Sequence, residues 1–325
     1  MTLPRRGLLA APLALACPAL AQEAFPSHPL TLVVPFTAGS ATDIAGRIVA
    51  QAMAEQLGQP VAVENRAGAG GSVGTGAVAR SRSDGYSMIL MVTSTVAVNR
   101  ALYRSLPFDP WRDFAPVGIE CFAQNALMVP AASPFRSLAE LVAYGKDASR
   151  PQLRYFSPGS GSSQHLSGVL LVQATGIRAD HVPYRGPPEG ITALVANEIE
   201  FGFSTTPPIL GLWREGRLRS LGVSGPAPDA AMPGVPTLAS LGLTDFTEMD
   251  PFYGVAVPKD TPPAVLARLR AAFAAGMAQP AVQARIAQTG FRNAAAMDGP
   301  VMDRFLERQV GIWAPLVRAS GATVD

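Results

Sequence analysis

The stretch Leu30-Thr-Leu-Val-Val-Pro-Phe-Thr-Ala-Gly-Ser-Ala-Thr-Asp43 restricts the fold more than any other part of the chain. Leu30 to Val34 is a mostly apolar run, the pattern of a strand in a parallel sheet covered on both faces. Ser40-Ala-Thr-Asp43 is a capping-box pattern ahead of the helical run Ile44 to Leu57. A strand end that meets a helix start offers unpaired N–H groups and the positive end of a helix dipole, which suit a carboxylate or a phosphate. Ala38, Gly39 and Ser40 leave that end open. An ordinary capped turn has the same sequence, so the choice between the two rests on the remainder of the chain.

The plan repeats. Val61 to Asn65 reads as a second strand, followed by the glycine-rich segment Gly68 to Gly76 and a helix through Ala77 to Arg80. These glycines do not fit a dinucleotide fingerprint, whose third glycine falls on Val73, and no lysine follows for a phosphate loop. Tyr86 to Val92 is a third strand and ends in Thr93-Ser-Thr95. Three successive strand–helix units imply a parallel, doubly wound sheet, with those hydroxyls beside the first junction. After a turn-rich break over Leu106 to Asp113, strands at Phe114 to Cys121 and Ala126 to Pro130 lead into a second series. It contains a strand at Leu153 to Phe156, the loop Ser157-Pro-Gly-Ser-Gly-Ser-Ser163 and a helix from Gln164 to Ala174, then strands at Asp180 to Pro183, Glu198 to Phe203 and Arg219 to Val223. The apolar run Thr244 to Val257 is long enough to return to the first half. Helices opened by Pro262, Pro280 and Pro300 follow with no strand between them and are expected to pack back on the first sheet.

A chain of 325 residues can fill two cores, and its charged fraction is only 15%, with Lys146 and Lys259 as its lysines. No basic run with interleaved aromatics occurs, which argues against a nucleic-acid partner. Arg5-Arg6, the apolar Gly7 to Leu20 and Ala19-Leu-Ala21 form the pattern of a signal peptide cleaved after Ala21, and the apolar core is too short for a membrane span. Cleavage removes those arginines and no acidic residue, so the formal charge falls from +2 to zero. The paired arginines also fit twin-arginine export. Cys17 lies in Ala14-Leu-Ala-Cys17, a poor lipoprotein site, and Cys121 alone survives in the mature chain, so no intramolecular disulfide is expected.

Ser160, Ser162 and Ser163 place hydroxyls and free N–H groups at a second helix start, so two such starts, one per half-chain, make a candidate ligand clamp. A hydrolase would have to use Ser160 or Ser162 with His165 or His181. There is no Gly-x-Ser-x-Gly elbow, and a histidine on the serine's own helix start does not normally point back at it. His165 reads as a capping or packing residue. His28, His165 and His181 are not at metal-ligand spacing and no thiol pair exists, so neither a metal nor a cofactor is expected.

From about Phe25 to its C-terminus the chain resembles the periplasmic solute-binding proteins of the tripartite tricarboxylate transporter system, the Bug family. The likeness rests on Leu32 to Asp43, Leu57-Gly-Gln-Pro60, Glu64-Asn-Arg-Ala-Gly-Ala-Gly-Gly71, Asn99-Arg-Ala-Leu-Tyr103, Gly159-Ser-Gly-Ser-Ser-Gln-His-Leu166, His181-Val-Pro-Tyr-Arg-Gly186 and Pro233-Gly-Val-Pro-Thr237. The resemblance implies two doubly wound α/β domains with a cleft between them, as in type II periplasmic binding proteins: residues 22–122 plus 253–325, and residues 123–252. It implies a non-catalytic, monomeric receptor in the periplasm that hands a small organic carboxylate to membrane permease subunits. A sensor acting on a membrane signalling partner fits the sequence equally, and a secreted hydrolase is the remaining alternative. Carried over, the ligand contacts are Phe36, Ala38, Gly39, Ser40 and Asp43 in one domain, Gly159, Ser160, Ser162, Ser163 and His165 in the other, and Ser94 and Thr95 at a further pocket position.

Two departures from the family pattern bear on the ligand. The usual Pro-Ala-Gly-Gly-Gly loop is Thr37-Ala-Gly-Ser-Ala41, which narrows backbone freedom and adds a hydroxyl. An aspartate common in the family is replaced at a pocket position by Ser204. Loss of that acid disfavours an amino group, so a neutral-tailed carboxylate is expected over an amino acid.

Overall fold

A computed structural model of the protein describes residues 25–297 and 299–322. The expected signal peptide, with its expected cleavage site at Ala21, lies outside the described residues. The first half runs β1 (Leu30–Val34), α1 (Ala41–Leu57), β2 (Val61–Asn65), α2 (Ser72–Ala79), β3 (Ser87–Val92), α3 (Asn99–Leu102) and β4 (Phe114–Ala123). The second runs β5 (Asn125–Pro130), α4 (Leu138–Lys146), β6 (Leu153–Ser157), α5 (Ser163–Thr175), β7 (Ala179–Pro183), α6 (Pro187–Val195), β8 (Phe201–Thr205), α7 (Thr206–Arg214) and β9 (Leu218–Val223). The chain closes with β10 (Phe252–Pro258), α8 (Pro263–Met277), α9 (Pro280–Gln288), β11 (Phe291–Asn293) and α10 (Gly299–Ser320).

These strands form two sheets, in the orders β11-β4-β10-β3-β1-β2 and β7-β6-β8-β5-β9. Each has a parallel part, β2-β1-β3 in one and β7-β6-β8 in the other, as the strand–helix units predict. Neither sheet is parallel throughout, which corrects the reading from the sequence. β10 lies antiparallel between β3 and β4, and β5 lies antiparallel between β8 and β9. Each inserted strand arrives from the other half of the chain with no crossover helix before it, so it enters against the direction of its neighbours. The two crossings are bonded together: Gln124 donates its side-chain amide to the Ser224 and Ala227 carbonyls, and the Asn125 N–H donates to Ser224 Oγ at 2.8 Å.

On the first sheet, Leu30, Leu32 and Val34 pack against α1, and Gly46 lets that helix approach closely, since a Cβ there would sit 2.7 Å from a Val34 methyl. Leu269 and Phe273 of α8 and Ile286 of α9 join the same core. α10 departs from the expectation that all three C-terminal helices return to the first sheet, and the short edge strand β11 precedes it. Met302 and Leu306 pack on the first sheet, whereas Trp313 and Val317 are buried in the core of the second with Leu166 and Leu170 of α5. Twenty-two residues of helix span roughly 33 Å, enough to touch both lobes.

Candidate binding cleft between two helix starts

α1 and α5 begin in the same way. Ser40 and Ser162 are the N-cap residues, and each hydroxyl accepts from the third helical N–H, that of Asp43 at 3.2 Å and of His165 at 3.1 Å. The side chain of that third residue reaches back in turn. Asp43 Oδ2 accepts from the Gly39 N–H at 3.0 Å, and His165 Nδ1 accepts from the Gly161 N–H at 3.1 Å. Gly39 and Gly161 both have φ of 78°, a left-handed value that costs glycine nothing. In both helices this leaves the first two N–H groups, of Ala41 and Thr42 and of Ser163 and Gln164, without a partner among the described residues. All four residues line one cavity between the sheets.

That inner chamber is also bordered by Phe36, Thr93, Ser94, Thr205, Pro251 and Tyr253. Phe36, Pro158 and Ser162 also border a second, outer chamber edged by Thr37, Gly68 to Gly71, Tyr103, Gly159, Ser160, Tyr184 and Arg185. Of the candidates from the sequence, Ser40, Ser94 and Ser163 border the inner chamber, Gly159 and Ser160 the outer, and Phe36 and Ser162 both. Ala38 and Gly39 are exposed on the turn before α1, and neither borders a chamber. Asp43 and His165 stand behind the two loops. Thr95 donates its hydroxyl to the Val92 carbonyl at 3.1 Å, and Ser204 is buried with its hydroxyl on the Thr205 carbonyl. Thr205, Tyr253, Tyr103, Tyr184 and Arg185 were not picked out as site residues. Thr205 carried a legible signal, since it ends a strand immediately before a helix, as the first junction does. Tyr253 comes from the returning strand and had none.

The two loops are held from beneath by different chemistry. Burial pushes the Asp43 carboxyl up, but the Arg47 guanidinium, the Gly39 N–H and the Asn65 amide outweigh it and hold the group below its ordinary value. Its charge is therefore spent within the loop. Burial lowers the His165 imidazole from 6.5 to about 4, and burial with the neighbouring His165 lowers His181 to about 3. The rings stack with centroids 4.1 Å apart, and His181 Nε2 lies 2.6 Å from Ser157 Oγ, which in turn accepts from the Gly159 N–H. Two neutral imidazoles thus brace the serine-rich loop.

The arrangement suits binding better than hydrolysis. Ser162 donates its hydroxyl to the Gly159 carbonyl at 2.8 Å, and His165 Nδ1 is occupied by Gly161, so these two do not pair with each other; the serine that meets a histidine is Ser157, with His181. Among the described residues no group of three or more His, Cys, Asp or Glu could hold a metal ion, and no helix is long and apolar enough to cross a membrane.

Comparison with known proteins agrees with this geometry. Residues 45–322 match the sequence profile of the tripartite tricarboxylate transporter family receptor. The chain is 31% identical to protein BugT of Bordetella pertussis over 97% of its own length and 96% of BugT. Among solved structures it resembles R. palustris Rpa4515 with adipate (29% identity, TM-score 0.86, covering 92% of this chain and all of that one). It also resembles MatC from Rhodopseudomonas palustris with bound malate (27% identity, TM-score 0.83, covering 90% of this chain and all of that one).

Proposed function

The chain belongs to the tripartite tricarboxylate transporter family of receptors, and from that membership we propose that it encloses a small organic carboxylate lacking an amino group and passes it to membrane permease subunits. The observation that carries this reading is the pair of matched helix starts, whose four free N–H groups border one cavity. A carboxylate presents two oxygens with about four acceptor positions, and each helix dipole adds roughly 0.3–1 kcal/mol of attraction for an anion. No arginine is needed in the inner chamber, and none of the described residues bordering it is one. The similar proteins Rpa4515 and MatC were solved with adipate and malate, both carboxylates.

In this reading Phe36, Ser40, Ser94, Ser162 and Ser163 meet the ligand directly, with Gly159 and Ser160 at the outer rim. Ala38, Gly39, Asp43, Thr95, His165 and Ser204 hold the shape of the wall. The lobes are residues 22–122 with 253–325, and 123–252, hinged at the two crossings. The receptor acts as a periplasmic monomer after cleavage behind Ala21. With serine at 204 and no acid among the described residues bordering either chamber, no carboxylate there balances a ligand ammonium group.

Calorimetry and thermal melting with a panel of mono- and dicarboxylates, alongside aspartate and glutamate, test the reading. Saturable binding of an acid with a rise in melting temperature, and no response to the amino acids, is the expected result. Tight binding of aspartate or glutamate, or turnover of acyl esters, contradicts it.

A further inference from the structure

α10 enters the cores of both lobes, and its backbone is weakest where it passes from one to the other. Met302 and Leu306 lie in a first-lobe core with Val33, Ile89 and Phe252, and Phe305 meets Phe122 and Phe252 edge to face. Further along, Trp313 and Val317 are buried in the second core with Leu166, Leu170 and Leu171 of α5, and the Gln173 amide holds the Ala319 carbonyl at 3.1 Å. Gly311 lies between these anchors, and Pro315 follows within the helix. Pro315 has no N–H to give the Gly311 carbonyl, and its ring crowds that carbonyl. Among the described residues it is the only proline in a helix interior; the other helical prolines stand in first turns. Packing requires neither residue. Both are exposed, and a Cβ on Gly311 would meet nothing within 4 Å. A glycine and a proline so placed cost helix stability with no contact in return, and together they make a bending point. Arg308 and Glu248 form a surface ion pair in the same stretch, which can follow a bend.

The chain beside α10 crosses at the same level. Ser94–Val98 form a π turn that packs against α10, and such turns recur at functional sites. Val96 lies in the first-lobe core with Met302 and Leu306, whereas Ala97 and Val98 lie in the second with Trp313 and Val317. The boundary between the cores therefore passes between adjacent residues of the π turn and between Leu306 and Trp313 of α10. Ser94 Oγ and the Asn99 amide both donate to the Gly70 carbonyl, at 3.2 and 3.0 Å, which fastens the π turn to the first lobe. The end of α10 is fastened to the second, through α5. We propose that α10 is a flexing strap: its part beyond Gly311 travels with the second lobe, and the helix bends at Gly311–Pro315 as the cleft opens. This rests on the receptor reading above for the opening motion and extends it beyond the strand crossings. A bend of about 20° at Gly311 moves Ala319 by about 4 Å, from the rise per residue of a helix.

The test is pulsed electron spin resonance on the mature protein carrying pairs of nitroxide labels, measured without ligand and with adipate or malate added. Ala271→Cys on α8 with Ala139→Cys on α4, both exposed, reports the separation of the lobes. Ala271→Cys with Ala319→Cys reports the end of α10 against the first lobe. Cys121 is fully buried and takes no label. In the free protein both distances are expected to spread over a range, the second by about 4 Å. Gly311→Ala with Pro315→Ala, which restores the missing N–H, is expected to narrow both distributions. Both substitutions favour a helix, so a melting temperature no lower than that of the wild type will show that the variant folds. A single narrow distance from α8 to the end of α10, while that from α8 to α4 spreads, overturns the strap and leaves the receptor reading in place. Distributions unchanged in the double variant do the same. A single narrow distance from α8 to α4, unmoved by either acid, overturns the strap and the opening of the lobes together.

Discussion

Asp43 and His165 occupy the same place in two unrelated sequences, each the third residue of a helix and each reaching back to a glycine N–H. One does so as a charged acceptor and the other as a neutral ring nitrogen, and since both must stay unprotonated, acid weakens both. His165 must be unprotonated on Nδ1 to accept from Gly161, and burial lowers it to about 4 against 6.5 when exposed. Between those values the unfolded chain binds a proton that the folded chain refuses, so stability falls as pH drops through the window, and His181 extends it toward about 3. Urea denaturation at pH 7 and at pH 5 should show a loss on the order of 2 kcal/mol for the wild type. His165→Asn with His181→Gln should flatten that difference, and an unchanged slope would refute the account of the loop. The serine caps were legible in the sequence because capping depends on neighbours three residues apart. The stacking of His165 on His181 was not, since it joins residues from different elements. Glu120 was equally hidden: nothing in its segment told that both carboxylate oxygens would be buried without a described partner, with burial raising its pKa well above the usual range.

Strands and helices of the two half-chains could be read from periodicity, turn residues and prolines, and most lie within a few residues of where the pattern put them. Direction within the sheets could not. β5 and β10 have the same apolar pattern as their parallel neighbours, and only the path of the chain between halves decides that they run antiparallel. α10 illustrates the same limit. Its apolar stripe predicts burial, but not that Leu306 faces one core and Trp313 the other. Trp313 is fully buried, with its indole N–H donating to Gln309 Oε1 at 3.1 Å, and the Gln173 side chain holds the Ala319 carbonyl near the helix end. Trp313→Ala is expected to cost about 3–5 kcal/mol in chemical denaturation, as for other fully buried aromatic residues. A loss below about 1 kcal/mol would mean that α10 does not fasten to the second lobe as described.

At the scale of the whole molecule, the two lobes meet around the cleft with little room to spare. A Cβ on Gly161 would lie 2.1 Å from Leu102 Cδ2, so the serine-rich loop of one lobe is pressed against α3 of the other. The crossings at Gln124 and Ser224 are hydrogen-bonded to each other, and Ser224 also donates to Asp250 at 2.9 Å. Repetition of one plan along the sequence foretold two lobes, and the resemblance foretold that their loops oppose each other. The structure adds that Ala41, Thr42, Ser163 and Gln164 line one cavity. The most direct test is a crystal structure with a bound carboxylic acid. The account predicts one carboxylate between the lobes, bonded directly or through a single water to the N–H groups of Ala41 and Thr42 on one side and of Ser163 and Gln164 on the other. An acid held by one lobe alone, or bound away from both helix starts, would contradict it.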